Sequence, residues 1–106
     1  MDRIEKLIEF LKESPDDSFL QHALALEYIK LGKEEDARKL FTNILDREPD
    51  YIGSYYHLAK LLERLNENGE AMKVYKKGID VAKAKNDRHA YNELLAAYNT
   101  LKEETE

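Results

Sequence analysis

The chain has 106 residues, enough for one small domain, with 42% hydrophobic residues, 37% charged residues and a formal net charge of −5. This balance is too apolar for a disordered chain. It lacks the basic footprint of a nucleic-acid binder, and an anionic membrane surface would repel it. The absence of cysteine excludes disulfides, thiolate nucleophiles and cysteine zinc ligands, and no apolar run approaches the roughly 20 residues of a membrane span.

Only four glycines and two prolines occur, few for a sheet protein with many tight turns, whereas the strong helix formers Leu, Ala, Glu and Lys abound. The opening stretch Asp2-Arg3-Ile4-Glu5-Lys6 is charged and periodic, unlike a signal peptide, so a soluble cytoplasmic protein is expected. The apolar pattern then follows a helical period almost throughout. In a first helix Ile4, Leu7, Ile8 and Leu11 fall on one face with Phe10 beside them, and Pro15 forces a break at Ser14. A second helix is expected to begin near Asp16 to Ser18, with Ser18 and Gln21 spaced as a capping box. It carries Leu20, Ala23, Leu24 and Tyr28, and ends at Gly32, which is free to adopt the left-handed conformation.

The third helix starts at the acidic run Glu34-Glu35-Asp36, which complements a helix N-terminus, and turns Ala37, Leu40, Phe41, Ile44 and Leu45 inward. Glu48-Pro49-Asp50 stops it. The fourth carries Tyr55, Leu58, Ala59 and Leu62 and ends around Asn66-Glu67-Asn68. The fifth uses Ala71, Val74, Tyr75, Ile79 and Ala82, and Asn86-Asp87 offers the last break and cap. The sixth carries Tyr91, Leu94, Leu95, Tyr98 and Leu101 before an acidic tail. Connections of about 2–5 residues make neighbouring helices antiparallel.

The pattern repeats itself at one fixed offset. Pro15 and Pro49 stand 34 residues apart, and the same spacing links Leu7, Phe41 and Tyr75, and Leu11, Leu45 and Ile79. It also links Leu24 with Leu58, Ala25 with Ala59, and Ala37 with Ala71. A period of about 34 residues with two helices per unit is a signature of helical repeat architecture. One unit cannot bury its apolar face alone, so stacking must supply a continuous core.

On these residues the chain resembles the tetratricopeptide repeat family. Residues 18–51 match one repeat through Leu24, Ala25, Tyr28, Gly32, Ala37, Phe41 and Pro49. Residues 52–85 match a second through Tyr55, Leu58, Ala59, Ala71, Tyr75 and Gly78, departing from the pattern at Leu62, Asn66 and Lys83. Residues 1–17 read as a lone second helix, and residues 86–106 as a first helix displaced by two residues. The implied fold is all-α: a single domain forming an antiparallel helix-hairpin solenoid of six helices, with two full repeats between capping half-repeats. Without a proline at position 83 the fifth helix is expected to run on toward Lys85.

The resemblance also implies where a partner would bind, because first helices line the inner face in this family. Carried over residue by residue, that face presents Phe19, His22, Ala23 and Leu26, then Gly53, Tyr56, His57, Lys60 and Arg64, then Asn92, Glu93, Ala96 and Asn99. The candidate peptide-binding residues are Phe19, His22, Leu26, Tyr56, His57, Lys60, Arg64, Asn92 and Asn99. Some relatives hold the C-terminal carboxylate of heat-shock chaperones with lysine, asparagine and arginine side chains. Here His22 and Leu26 stand where the first-repeat lysine and asparagine are needed, so a co-factor of that kind is not expected.

His22, His57 and His89 have no helical zinc spacing and fit surface or groove positions better than metal ligands. Glu34, Glu35 and Asp36 read as N-terminal charges, the four glycines form no phosphate loop, and no serine sits in a nucleophile elbow. No enzyme, cofactor or metal is therefore expected. Tyr28, Tyr55, Tyr75 and Tyr98 fall at packing positions, whereas Tyr56, about 100° round the helix from Tyr55, points elsewhere. The expected function is an interaction module for a protein or peptide segment, monomeric or weakly self-associating. The alternative is a structural module that associates through its end helices, which exposed Ile4, Ile8, Leu95 or Leu101 would favour.

Overall fold

The computed structural model describes residues 2–106 and contains six helices and no strand among them. In chain order they are α1 (Arg3–Glu13), α2 (Ser18–Lys30), α3 (Glu34–Arg47), α4 (Gly53–Arg64), α5 (Asn68–Ala84) and α6 (Arg88–Thr105). They form two compact units, one ending at Glu48 and the other beginning at Pro49. In the first, α2 packs against both α1 and α3; in the second, α5 packs against both α4 and α6.

Three tight turns share one chemistry. After α2, Gly32 takes a positive φ of 75°; its N–H bonds the Ile29 carbonyl, and the Lys33 N–H reaches back to Tyr28. After α4, Asn66 (φ 61°) and Glu67 make the same pair of bonds to Glu63 and Leu62. After α5, Asn86 (φ 56°) and Asp87 repeat it on Lys83 and Ala82. Each is a Schellman turn, which satisfies orphan carbonyls at the helix end through one left-handed residue. Asparagine replaces glycine because it is the residue that, after glycine, best tolerates that conformation. With Lys83 at the proline position, α5 continues to Ala84, three residues longer than α3. The longer helix explains why the sixth matches two residues late.

The start of α2 differs from the expected capping box. Asp17 is the cap, its carboxylate accepting the Leu20 N–H. Ser18 and Gln21 are buried instead and tie the two ends of the α2–α3 hairpin together. Arg47 donates to Ser18 Oγ (2.8 Å) and Gln21 Oε1 (3.0 Å), Ser18 donates to Glu48, and Gln21 donates to the Pro15 carbonyl. Acidic and amide side chains that are individually common near caps are sorted here by a tertiary arginine, which a local reading cannot see.

The cores follow the repeat positions. In the first unit Ala25, Ala37, Phe41 and Ile44 are fully buried, and Leu7 of α1 joins Ala23 and Leu24, with Ile4, Leu11, Leu20, Tyr28 and Leu40 packed around them. In the second unit Tyr55, Leu58, Ala59, Leu61, Leu62, Ala71, Tyr75, Ala82, Leu94 and Leu101 are buried. Ala25 with Ala37, and Ala59 with Ala71, are the small residues expected where paired helices cross. One expectation for the end helices is corrected. Phe10 does not join the α1 core and is 56% exposed, because it projects from the side of α1 turned away from α2. Leu101 is buried, as its place on the apolar face of the sixth helix implies, whereas Ile8 on α1 is 38% exposed.

Candidate functional site

The first-helix residues of each unit were placed on a binding face by the sequence pattern. In the first unit Phe19 is 70% exposed in the opening turn of α2, His22 and Leu26 are half-buried, and the His22 ring meets the edge of Phe41 at 5.4 Å. His22 is thus held by the core residue behind it. Ala23 departs from expectation: it is buried among Leu7 and Leu24, because α1 covers that side of α2.

In the second unit α4 brings Tyr56, His57, Lys60 and Arg64 into one neighbourhood. Tyr56 and Lys60 are one helical turn apart, and the ammonium lies 5.8 Å from the ring centroid, a cation–π distance. The His57 ring stands edge-on to Tyr56 at 5.7 Å. Burial lowers the affinity of His57 for a proton below the usual histidine range; the negative charge of Glu93 on α6 opposes this and the positive charge of Arg64 adds to it. At neutral pH His57 is therefore an uncharged donor and acceptor rather than a cation. Arg64 is exposed at the end of α4, and Asn92 and Asn99 are exposed on α6.

Two carboxylates, Glu63 and Glu93, shape this neighbourhood, and the sequence pattern placed only Glu93 on the face. Glu63 lies 3.7 Å from Lys60 Nζ and accepts the hydroxyl proton of buried Tyr75. Burial and this bond to Glu63 push the Tyr75 hydroxyl well above the usual tyrosine range, so it remains a fixed donor. Glu63 was legible as the i+3 neighbour of Lys60. Its bond to Tyr75 was not, since twelve residues and a turn separate them. Glu93 was noted on the face but not as the charge that acts on His57. The α4 surface is thus mixed in charge: Lys60 is partly neutralised by Glu63, and Arg64 stands further out.

Among the described residues no group of three His, Asp or Glu side chains could hold a metal ion, and no helix is long and apolar enough to cross a membrane. What the surfaces offer is exposed aromatic area beside hydrogen-bonding and charged groups, on helices that bury alanines on their inner sides.

Paired helices at a 34-residue period, small residues at their crossings and left-handed turns between them define an all-α repeat protein. The sequence pattern of the tetratricopeptide repeat matches residues 28–98, and the chain belongs to that family. A tetratricopeptide repeat domain protein of Salinibacter ruber, known from a crystal structure, is 37% identical over 81% of this chain and 96% of its own, with a TM-score of 0.78. A Bordetella parapertussis protein, solved in solution, is 22% identical over 98% of this chain and 90% of its own, with a TM-score of 0.84. The TPR2B domain of yeast Sti1, solved in complex with pHsp70, has a TM-score of 0.87 at 16% identity, covering 95% of this chain and 81% of that domain. The last two show likeness of fold. No curated protein matches the chain.

Proposed function

We propose that this chain is a protein-binding module that holds a peptide or protein segment on its first-helix faces, works in the cytoplasm and catalyses no reaction. The observation that carries this reading is the α4 surface, where a partly exposed Tyr56 sits under Lys60 with Arg64 one turn further on. Aromatic and arginine side chains are the usual anchors of protein interfaces, giving apolar area and charged hydrogen bonds at low conformational cost. Family membership supports it, since tetratricopeptide repeats serve widely as interaction scaffolds, and the Sti1 domain of the same fold was captured in complex with pHsp70.

Lys60 and Arg64 favour a carboxylate-bearing segment over a basic one. The net charge of −5 opposes an acidic ligand at long range. Screening over about 8 Å at physiological salt leaves the local cations in control. On α2, Phe19 offers an apolar contact, with His22 and Leu26 at its edge; on α6, Asn92 and Asn99 offer amide hydrogen bonds.

The test is a titration of fluorescent acidic and basic peptide pools against the wild type and the double variant Tyr56→Ala/Lys60→Ala. Acidic peptides should bind the wild type more tightly. The double variant, with its helical spectrum intact, should lose at least about 2 kcal/mol of that binding, the scale of an interface hot spot. Equal affinity for wild type and variant would remove α4 from the binding face.

A further inference from the structure

The two end helices of this chain are complementary halves of one helix pair, and the buried contact that such a pair makes can be read inside the second unit. Gly78 of α5 lies under Tyr55 of α4: a Cβ at that glycine would meet Tyr55 Cβ at 2.8 Å and Leu94 at 3.1 Å. Position 78 is therefore where a second helix meets the opening turn of its own first helix. The 34-residue period aligns Phe10, Ile44 and Gly78. Ile44 and Gly78 are buried; Phe10, in the α1 helix that has no first helix preceding it among the described elements, is 56% exposed.

The other half of the pair stands open on α6. Tyr91 occupies, two residues late, the position of Tyr55. Tyr55 is 2% exposed under its second helix, whereas Tyr91 is only half-buried. Beside it lies an open concavity of about 380 Å³, lined by Ala82, Lys83, Asn86, Asp87, Arg88 and Tyr91. We propose that Phe10 of one copy of this chain seats against Tyr91 in this concavity of a second copy, so that α1 and α6 complete a helix pair between molecules.

Direction agrees with this occupant, and one acid meets the basic side of the seat. Phe10 lies toward the C-terminal end of α1, and Tyr91 in the first turn of α6, as an antiparallel pair requires. On α1, Glu13 lies one turn beyond Phe10 and can meet Lys83 or Arg88 beside Tyr91, whereas Glu9 is held by Lys12 at 3.0 Å and Lys6 and Asp87 are the opposing charges. The same alignment limits its strength. Arg3 stands where Ala37 and Ala71 allow close helix crossing, and Leu95 stands where Ala59 does. These bulky residues hold the helices apart at that end and confine the contact to the Phe10 end. Such a small interface gives weak, concentration-dependent association. Because the contact joins two different surfaces, each copy keeps one free half for a further neighbour.

Sedimentation equilibrium of the 106-residue chain between about 10 μM and 1 mM tests it, a range suited to weak association. The weight-average mass of the wild type should rise from that of a monomer. Phe10→Ser, which loses the knob, and Tyr91→Ala, which loses the seat, should each raise the dissociation constant at least tenfold while keeping the melting curve of a folded protein. An equimolar mixture of the two should regain a dimer and grow no further, since each variant keeps the half the other lacks. If Tyr91→Ala perturbs the fold, Lys83→Glu at an exposed position takes its place as the seat variant. Concentration-dependent amide shifts of the wild type should centre on Phe10 and Tyr91. A wild type that stays monomeric throughout, variants that still associate, a monomeric mixture, or shifts centred elsewhere would each overturn the proposal.

Discussion

At the scale of single residues, one glycine inside a helix leaves no room for a side chain. Gly78 would normally weaken α5, since glycine costs a helix interior about 1 kcal/mol relative to alanine. It is kept by Tyr55, whose Cβ leaves 2.8 Å for any added methyl group. Tyr55 cannot swing aside, because its ring is buried and its hydroxyl donates to the Pro49 carbonyl. Gly78→Ala should therefore destabilise the protein by about 1–2 kcal/mol, an overpacking cost exceeding the propensity gain. Gly69, in the same helix, has nothing within 4 Å of an added Cβ, and Gly69→Ala should stabilise by up to about 1 kcal/mol. Urea denaturation of both variants checks the pair. An equal gain from both would mean that Tyr55 yields. The repeat pattern marked Gly78, and not Gly69, as a small-residue position; that Tyr55 is what it meets needed the packed neighbour.

At the scale of helices, the left-handed residues that end α2, α4 and α5 are the punctuation of the fold. Asn66→Gly should be tolerated with little change in stability, whereas Asn66→Ala should lose about 1–2 kcal/mol, the cost of a Cβ in the left-handed region. Thermal melts of the two variants would show the difference, and equal melts would mean the turn had reorganised. These turns were largely legible, because glycine, asparagine and proline act locally, and the helices they separate sit at their expected places. The small residues at helix crossings were legible too, through the 34-residue period. What escaped was decided by tertiary contact. Asp16, Asp17 and Ser18 are all good cap residues, and Arg47 settles the matter by drawing Ser18 inward, leaving Asp17 to cap. Phe10 has the hydrophobicity of a core residue, but no described helix covers it. On the candidate face, the Tyr56–Lys60 pair followed from helical spacing, whereas the burial of Ala23 by α1 and the hold of Tyr75 on Glu63 needed the packed neighbours.

At the scale of the molecule, stability depends on whether α1 is a structural part or an appendage. Its Leu7 is 6% exposed and completes a cluster with Leu24 and Ala23, while Ile4, Leu11, Leu20, Tyr28 and Leu40 close around it. Arg3 adds an ion pair at 3.4 Å to Glu27 of α2, worth little on a surface. The apolar contact dominates: burying one leucine contributes about 1.5–3 kcal/mol, and the partly buried Ile4 and Leu11 add to it. Against a total stability of about 5–15 kcal/mol, loss of the helix is a large fraction. In a repeat protein the uncovered face has no other neighbour to take its place. Deleting residues 1–13 should thus lower the melting temperature by more than about 10 °C, given roughly 4–8 °C per kcal/mol for a chain of this size. Two point variants separate the contribution of the core from mere shortening of the chain. Leu7→Ala should reproduce much of the loss, at about 2–5 kcal/mol for a buried leucine. Phe10→Ala, on the open side of the same helix, should stay within about 0.5 kcal/mol of the wild type. Calorimetry on the deletion and the two variants, at a concentration low enough to keep all of them monomeric, measures the three effects on one scale. An unchanged melting curve for the deletion would make α1 dispensable to the fold and leave Leu24 and Tyr28 supported by α3 alone.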